Sequence, residues 1–204
     1  MKRFFSKLLS KSHSKDSSEE KSEQKSKYMP KVVAPVEERF TIEFNNNGGK
    51  FLYCENSLEI EENFDMILER NHWIQSEMLC FDSTLAKRFE KESLSITKTN
   101  LNATFFLTPC EYLVAQNGGL LISANQIQSH KLQDLPKNFV VFATTSQITE
   151  TLSDGLKGIK EKYAKNIPSN ITTIKHFNQD SDQEDFLTYG STAKNLYLLL
   201  LEDL

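Results

Sequence analysis

Thr108, Cys110, Gln116, Asn117, Gly118 and Gly119 crowd into one short stretch, ATFFLTPCEYLVAQNGGLLIS, which runs from Ala103 to Ser123. The backbone amides of a tight glycine turn can point the same way and cradle an anion. The carboxamides of Gln116 and Asn117 and the hydroxyl of Thr108 can add hydrogen bonds to such a ligand. Gln116 neither titrates nor attacks, so acid–base or acyl-transfer chemistry would need a group from elsewhere. Cys110 is a nucleophile only if a neighbouring base or cation lowers its pKa. No histidine is near it in sequence, and a free cysteine is also an ordinary core residue. The chemistry the stretch offers is binding.

The elements that must hold these groups follow from pattern. Thr104–Leu107 is an apolar run of strand length, and Pro109 ends it because proline has no N–H to give a ladder. Glu111–Gln116 is expected to form one or two helical turns, with Tyr112, Leu113 and Ala115 inward. Asn117-Gly118-Gly119 reads as a turn, and Leu120–Ile122 leaves it as a buried strand. Polar groups of this kind often line ligand sites at the corners of α/β proteins.

The stretch Val114-Ala115-Gln116-Asn117-Gly118-Gly119, followed by Leu120-Leu121-Ile122, resembles the LUD domain family, whose members carry a strand, a segment close to IAETGT and a strand. Pro136 with Phe139–Ala143 resembles the family's proline and buried strand. Tyr189-Gly190-Ser191-Thr192-Ala193, followed by Leu196–Leu201, is similar to its GVHGP and final strand. The likeness covers roughly the C-terminal half. It implies an α/β fold of the NagB/RpiA/CoA transferase-like type, with a mostly parallel sheet flanked by helices and a ligand over the glycine turn. It also implies a link to L-lactate utilisation and iron–sulfur partner subunits.

Carried over residue by residue, the family's glutamate falls on Gln116, its two threonines on Asn117 and Gly119, and its histidine on Thr192. Gly118 and Gly190 keep their glycines. The family's GPSRTADIE lies over His176–Glu184, so its arginine falls on Gln179 while its acidic pair stays as Asp182 and Glu184. The pair also reads as a solvated acidic loop. Together with Thr108, which the stretch itself offers, the resemblance implies a ligand set of Gln116, Asn117, Gly118, Gly119, Asp182, Glu184, Gly190 and Thr192. Most of the ancestral ionisable chemistry is gone, and no catalytic residue is assigned.

The rest of the chain divides by composition. Residues 1–27 hold eight Lys/Arg, four Asp/Glu and eight serines, leaving 16 basic against 24 acidic residues beyond them. Such a stretch cannot bury enough apolar surface to offset its ordering entropy. Residues 1–30 are expected to be a disordered tail, and residues 31–204 one α/β domain. Phe4, Phe5, Leu8 and Leu9 would share one face of a short amphipathic helix suited to a membrane surface or a partner. A helix that short is marginal alone, so the frayed tail is the default.

Thr41–Phe44 alternates like a strand, and Phe51–Cys54 is a second. Asn56, with Glu59 three residues on, caps a helix whose buried face is Ile60, Phe64, Ile67 and Leu68. Its outer carboxylates are expected to be solvated, and His72-Trp73 to close the core. Met78–Phe81 and Leu94–Thr97 are further strands, with a helix starting at Ser83 between them. His130 sits in an exposed loop. Thr144 onward leads into a helix reaching about Ala164, and Ile171–His176 is a strand. Alternating strands and helices argue for a parallel sheet covered on both faces.

Several classes are excluded. The three cysteines form neither a disulfide framework nor a CxxC pair, so neither a metal site nor an iron–sulfur cluster is expected in this chain, and no cofactor is assigned. No apolar run reaches bilayer length, and the start lacks a signal peptide's apolar core, so cytoplasmic residence is expected. The acidic domain would repel phosphate backbones, so nucleic acid is not an expected partner. No P-loop, GxGxxG, HExxH or GxSxG is present. The leading expectation is a LUD-type accessory component, non-catalytic or ligand-binding, with a small anionic ligand or iron–sulfur subunits as partners. The alternatives are an enzyme acting on a phosphorylated sugar or acyl-CoA, and an adaptor recruited through the tail.

Overall fold

The computed structural model describes residues 34–177 and 194–203. Residues 1–33, on which the expected tail and its candidate amphipathic face fall, lie outside the described residues, as do Asp182, Glu184, Gly190 and Thr192. In chain order the elements are α1 (Val36–Asn46), β1 (Lys50–Cys54), α2 (Ser57–Arg70), β2 (Glu77–Leu79), α3 (Ser83–Arg88), β3 (Ser95–Thr97) and β4 (Phe105–Pro109). There follow β5 (Tyr112–Val114), β6 (Gly119–Ile122), α4 (Ala124–Ile127), β7 (Asn138–Thr144), β8 (Ile148–Thr149), α5 (Leu152–Lys162), β9 (Thr172–Ile174) and β10 (Asn195–Leu201).

Six strands form one parallel sheet in the order β1-β10-β7-β4-β2-β3. The expected α/β architecture, a parallel sheet flanked by helices, is what the chain adopts. Leu198 of the inner strand β10 stands opposite Phe51 of β1 and Val141 of β7. Side chains alternate between two faces, as the period of a strand requires. Phe106, Phe139, Val141, Leu196, Leu198 and Leu200 pack with α1 and the second sheet. Phe105, Leu107, Val140, Tyr197 and Leu199 pack with α2, α3 and Trp73. Trp73 does close that core, its indole stacked on Phe105 at 4.9 Å between ring centroids.

The second sheet, in the order β8-β5-β6-β9, is where the chain departs from expectation. Glu111–Gln116 is not helical: Tyr112, Leu113 and Val114 pair antiparallel with Leu121, Leu120 and Gly119. The Asn-Gly-Gly turn closes a hairpin, and an Asn-Gly pair between two apolar runs is a hairpin signal in its own right. Likewise Thr41–Phe44 belongs to helix α1, because Phe40 and Phe44 lie four apart on one buried helical face and Thr41 returns its hydroxyl to the carbonyl of Glu37, 2.9 Å away. The long helix expected from Thr144 is broken into a single turn at Thr145–Gln147, strand β8 and then α5, whose start is capped by Thr151. α5 covers the outer face of the hairpin, with Ile159 against Val114 and Leu121.

The two cores meet the sheet through large aromatics, so the middle of β4 tolerates no truncation. Phe106 is fully buried and lies edge-on to Phe81 and Phe139, at 5.4 and 5.1 Å between centroids. Phe106→Ala should lower unfolding free energy by about 3–5 kcal/mol, read from the urea midpoint at unchanged slope. Phe81→Ala, at a half-exposed ring, should lower it by clearly less.

Candidate functional site

The glycine turn is fixed by its neighbours before any ligand is considered. Gly118 has φ +61°, and a Cβ there would fall 2.3 Å from the backbone of Glu43 and Phe44 in the last turns of α1. Only glycine fits. The N–H of Gly119 donates to Asn117 Oδ1 at 3.0 Å, and Asn47 Nδ2 donates to the Asn117 carbonyl at 2.7 Å. The Gln116 amide donates to the carbonyl of Glu150, 3.0 Å away, and the Gln116 side chain is exposed.

Asn47 is also the link to the second half of the expected site. Its carbonyl accepts from the N–H of Phe177 at 3.0 Å, and the Lys194 N–H donates to the carbonyl of His176 at 3.3 Å. Phe177 and Lys194 are the described residues that flank the stretch carrying Asp182, Glu184, Gly190 and Thr192. The structure thus brings the turn Gln116–Gly119 beside both anchors of that stretch, at the amino ends of β1 and β10. Thr108 is elsewhere. It lies near the carboxyl end of β4, 2% exposed, with its hydroxyl donating to the Pro109 carbonyl at 3.0 Å. His130 is half-buried and stacked on Phe81, with 5.6 Å between ring centroids.

Glu111 escaped sequence reasoning. Its side chain is fully buried between the hairpin and α5 and accepts from Ser123 Oγ at 2.8 Å, Asn125 Nδ2 at 3.1 Å and Gln126 Nε2 at 3.1 Å. Tyr163 Oη donates at 3.0 Å and Lys162 Nζ at 3.3 Å. Burial alone would raise its pKa, but the bonds from Ser123, Gln126 and Tyr163 and the charge of Lys162 outweigh it, and the carboxyl is held below its ordinary value. The sequence signal was Ser123-x-x-Gln126, a capping box whose glutamine also reaches Glu111. Next to Glu111, burial and that carboxylate push the Cys110 thiol up to about 12. Cys54 and Cys80 are buried too, each raised to about 11, chiefly by desolvation.

A second buried charge went unforeseen. Lys194, 1% exposed, donates from Nζ to the carbonyls of Leu135 at 3.0 Å and Pro136 at 3.1 Å, and lies 5.1 Å from the centre of the Phe139 ring. Burial and the nearby Lys137 lower its pKa to about 8, against a small opposing effect of Asp134. Among the described residues, no group of three His, Cys, Asp or Glu side chains is placed to hold a metal ion.

A parallel six-stranded sheet, a hairpin closed by a glycine turn and a final strand beside that turn define an α/β domain of a particular kind. The sequence pattern of the LUD domain matches residues 37–201, and the chain belongs to that family. Its fold is similar to that of a DUF162-family protein from Deinococcus radiodurans, with a TM-score of 0.58 over 82% of this chain and 96% of that one. The two sequences are 10% identical, so the likeness is one of fold. No curated protein sequence matches significantly.

The two buried charges make opposite predictions for pH. Glu111 has a depressed folded-state pKa, so its contribution is present above the ordinary carboxylate pKa and is lost as pH falls through the folded value. Glu111→Gln should be less stable than the parent at neutral pH, with the gap closing in acid; a gap that stays constant to low pH would refute the assignment. Lys194 also has a depressed pKa, but as a base: between about 8 and its ordinary 10.5 the unfolded chain binds more protons. Parent stability relative to Lys194→Met should therefore rise across that window, with a slope of up to about 1.4 kcal/mol per pH unit. Paired urea titrations at several pH values measure both.

Proposed function

We propose that this LUD-family chain is a ligand-binding, non-catalytic accessory component of L-lactate utilisation, acting in the cytoplasm beside iron–sulfur subunits. The observation that carries the reading is the chemical state of the groups around the hairpin. Gln116 and Asn117 present carboxamides where acid–base chemistry would need an ionisable group. The Cys110 thiol is raised to about 12, which leaves almost no thiolate near neutrality. Glu111 is held ionised by hydrogen bonds from Ser123, Asn125, Gln126, Tyr163 and Lys162, and a carboxylate made that comfortable is a weak base and a weak nucleophile.

The three free cysteines are dispersed and buried, which supports leaving electron transfer to a partner. No helix among the described residues is long and apolar enough to cross a membrane. The competing reading is an enzyme acting on a phosphorylated sugar or acyl-CoA. It would draw its ionisable group from His176, whose backbone bonds to Lys194 at the same end of the sheet as the glycine turn.

A thermal-shift screen with lactate, pyruvate, sugar phosphates, CoA esters and nucleotides separates these. A ligand well above its dissociation constant raises the melting temperature by mass action. The accessory reading expects one ligand class to do so, the shift to vanish in the Gln116→Ala/Asn117→Ala variant, and the bound compound to be recovered unchanged. Turnover of the compound, lost in His176→Ala, would replace it with the enzyme reading.

A further inference from the structure

Three neighbouring strands of the main sheet carry a lysine at, or immediately before, their first residue. Lys50 opens β1, Lys194 immediately precedes β10, and Lys137 immediately precedes β7; Asn195 and Asn138, the residues that follow the last two, stand opposite each other in the ladder. Beyond residue 27 the chain has 16 basic against 24 acidic residues, so a basic band there runs against the overall charge.

The members differ. Lys50 is exposed and engaged with Asn195 Oδ1 at 2.8 Å and Tyr197 Oη at 3.1 Å. Lys137 is exposed. Lys194 is buried, and among the described residues its ammonium is held by the Leu135 and Pro136 carbonyls and the Phe139 ring, with Asp134 acting on it only through its charge and not as a bonded partner. No carboxylate among the described residues lies within ion-pair distance of it, and its third N–H has no acceptor among them.

A buried charge without a counter-charge is unfavourable, and a hydrocarbon of the same shape is often as stable or more so. Glu111 shows the contrast, since it is buried and paired with Lys162. Lys194 is also joined to the glycine turn, through its N–H to His176, then through Phe177 to Asn47 and on to Asn117.

We infer that the amino end of β1, β10 and β7 is an anion-binding site, in which Lys194 is the fixed counter-charge and Lys137 the exposed charge that receives a small carboxylate or phosphate. The inference rests on the ligand-binding reading above and names the charge that the carboxamides of Gln116 and Asn117 lack.

The test is titration of the full chain with lactate, pyruvate, inorganic phosphate and a sugar phosphate at matched ionic strength, followed by thermal shift and calorimetry. At least one anion should bind the parent, and the panel tells carboxylate from phosphate. Lys194→Met should weaken that binding by about tenfold or more, and Lys137→Ala by about threefold. Lys160→Ala, on the outer face of α5, should leave it unchanged. Lys194→Arg keeps the charge and should restore most of the affinity, which guards against a methionine variant that merely misfolds. Equal affinity in the parent and a folded Lys194→Met would overturn this assignment while leaving the ligand-binding reading intact. Absence of binding by every anion in the parent would remove both.

Discussion

Strands with apolar side chains on both faces can exist only between two covering layers, and this requirement organises the domain. β10 is apolar on each side from Leu196 to Leu201, as are the inner parts of β4 and β7. Parallel strands also need crossovers, and those crossovers are almost always right-handed. Connections that move one way across the sheet therefore fall on one face, and those that move back fall on the other. From β1 to β2 and on to β3 the chain moves outward, placing α2 and α3 against Leu107, Val140 and Leu199. From β3 back through β4 and β7 to β10 it returns, so the hairpin, α4, β8, α5 and β9 must all share the opposite face. That face already holds α1. The glycine turn meets α1 as a consequence of handedness.

The polar groups on that face follow from the same packing. A hairpin folded over a sheet and then covered by α5 buries the strand start at Glu111, and a buried carboxylate persists only when it is hydrogen-bonded and paired. The cap of α4 and the last turn of α5 supply the donors. Two close glycine contacts let α5 approach: a Cβ at Gly155 would meet Leu121 Cδ1 at 2.6 Å, and one at Gly158 would meet Tyr112 Oη at 2.4 Å. Glu111, Ser123, Gln126, Lys162 and Tyr163 thus work as one clasp between two layers. Lys194 differs: among the described residues its ammonium is held by two backbone carbonyls and a ring face, with no carboxylate at ion-pair distance.

How much of this was legible in the sequence depended on whether the signal was local. The inner strands announced themselves through unbroken apolar runs, and the cap of α2 through Asn56 and Glu59; Asn56 does accept from the amides of Leu58 and Glu59. Short segments with mixed patterns were misread. Thr41–Phe44 fits a two-residue period and, once Phe40 is added, a helical one. Glu111–Gln116 is too short for periodicity to decide. Of the ligand set, Asn117-Gly118-Gly119 was read as a turn and does close the hairpin, Gln116 was read as helical and joins that turn instead, and the separation of Thr108 to the opposite end of the sheet is a property of the fold. Glu111 was invisible because its partners lie 12 to 52 residues away along the chain. Lys194 looked like any other lysine because burial, unlike charge, cannot be read from one residue.

These constraints separate what Gly118 implies from what its neighbours imply. In the family's segment close to ETGT, the glycine is the one position this chain shares, and it is also the one whose replacement would drive a Cβ into the backbone of α1. Its presence is explained by packing and says nothing for or against chemistry. Gln116 is bound only through its backbone and points its side chain outward, so packing does not dictate its identity. Asn117 is intermediate, since its side chain caps the Gly119 amide and its carbonyl is taken by Asn47. The fold therefore holds the corner in shape whatever the corner does. The exposed carboxamide of Gln116, and the buried ammonium of Lys194, which has no ion-pair partner among the described residues, are the groups whose identity packing explains least.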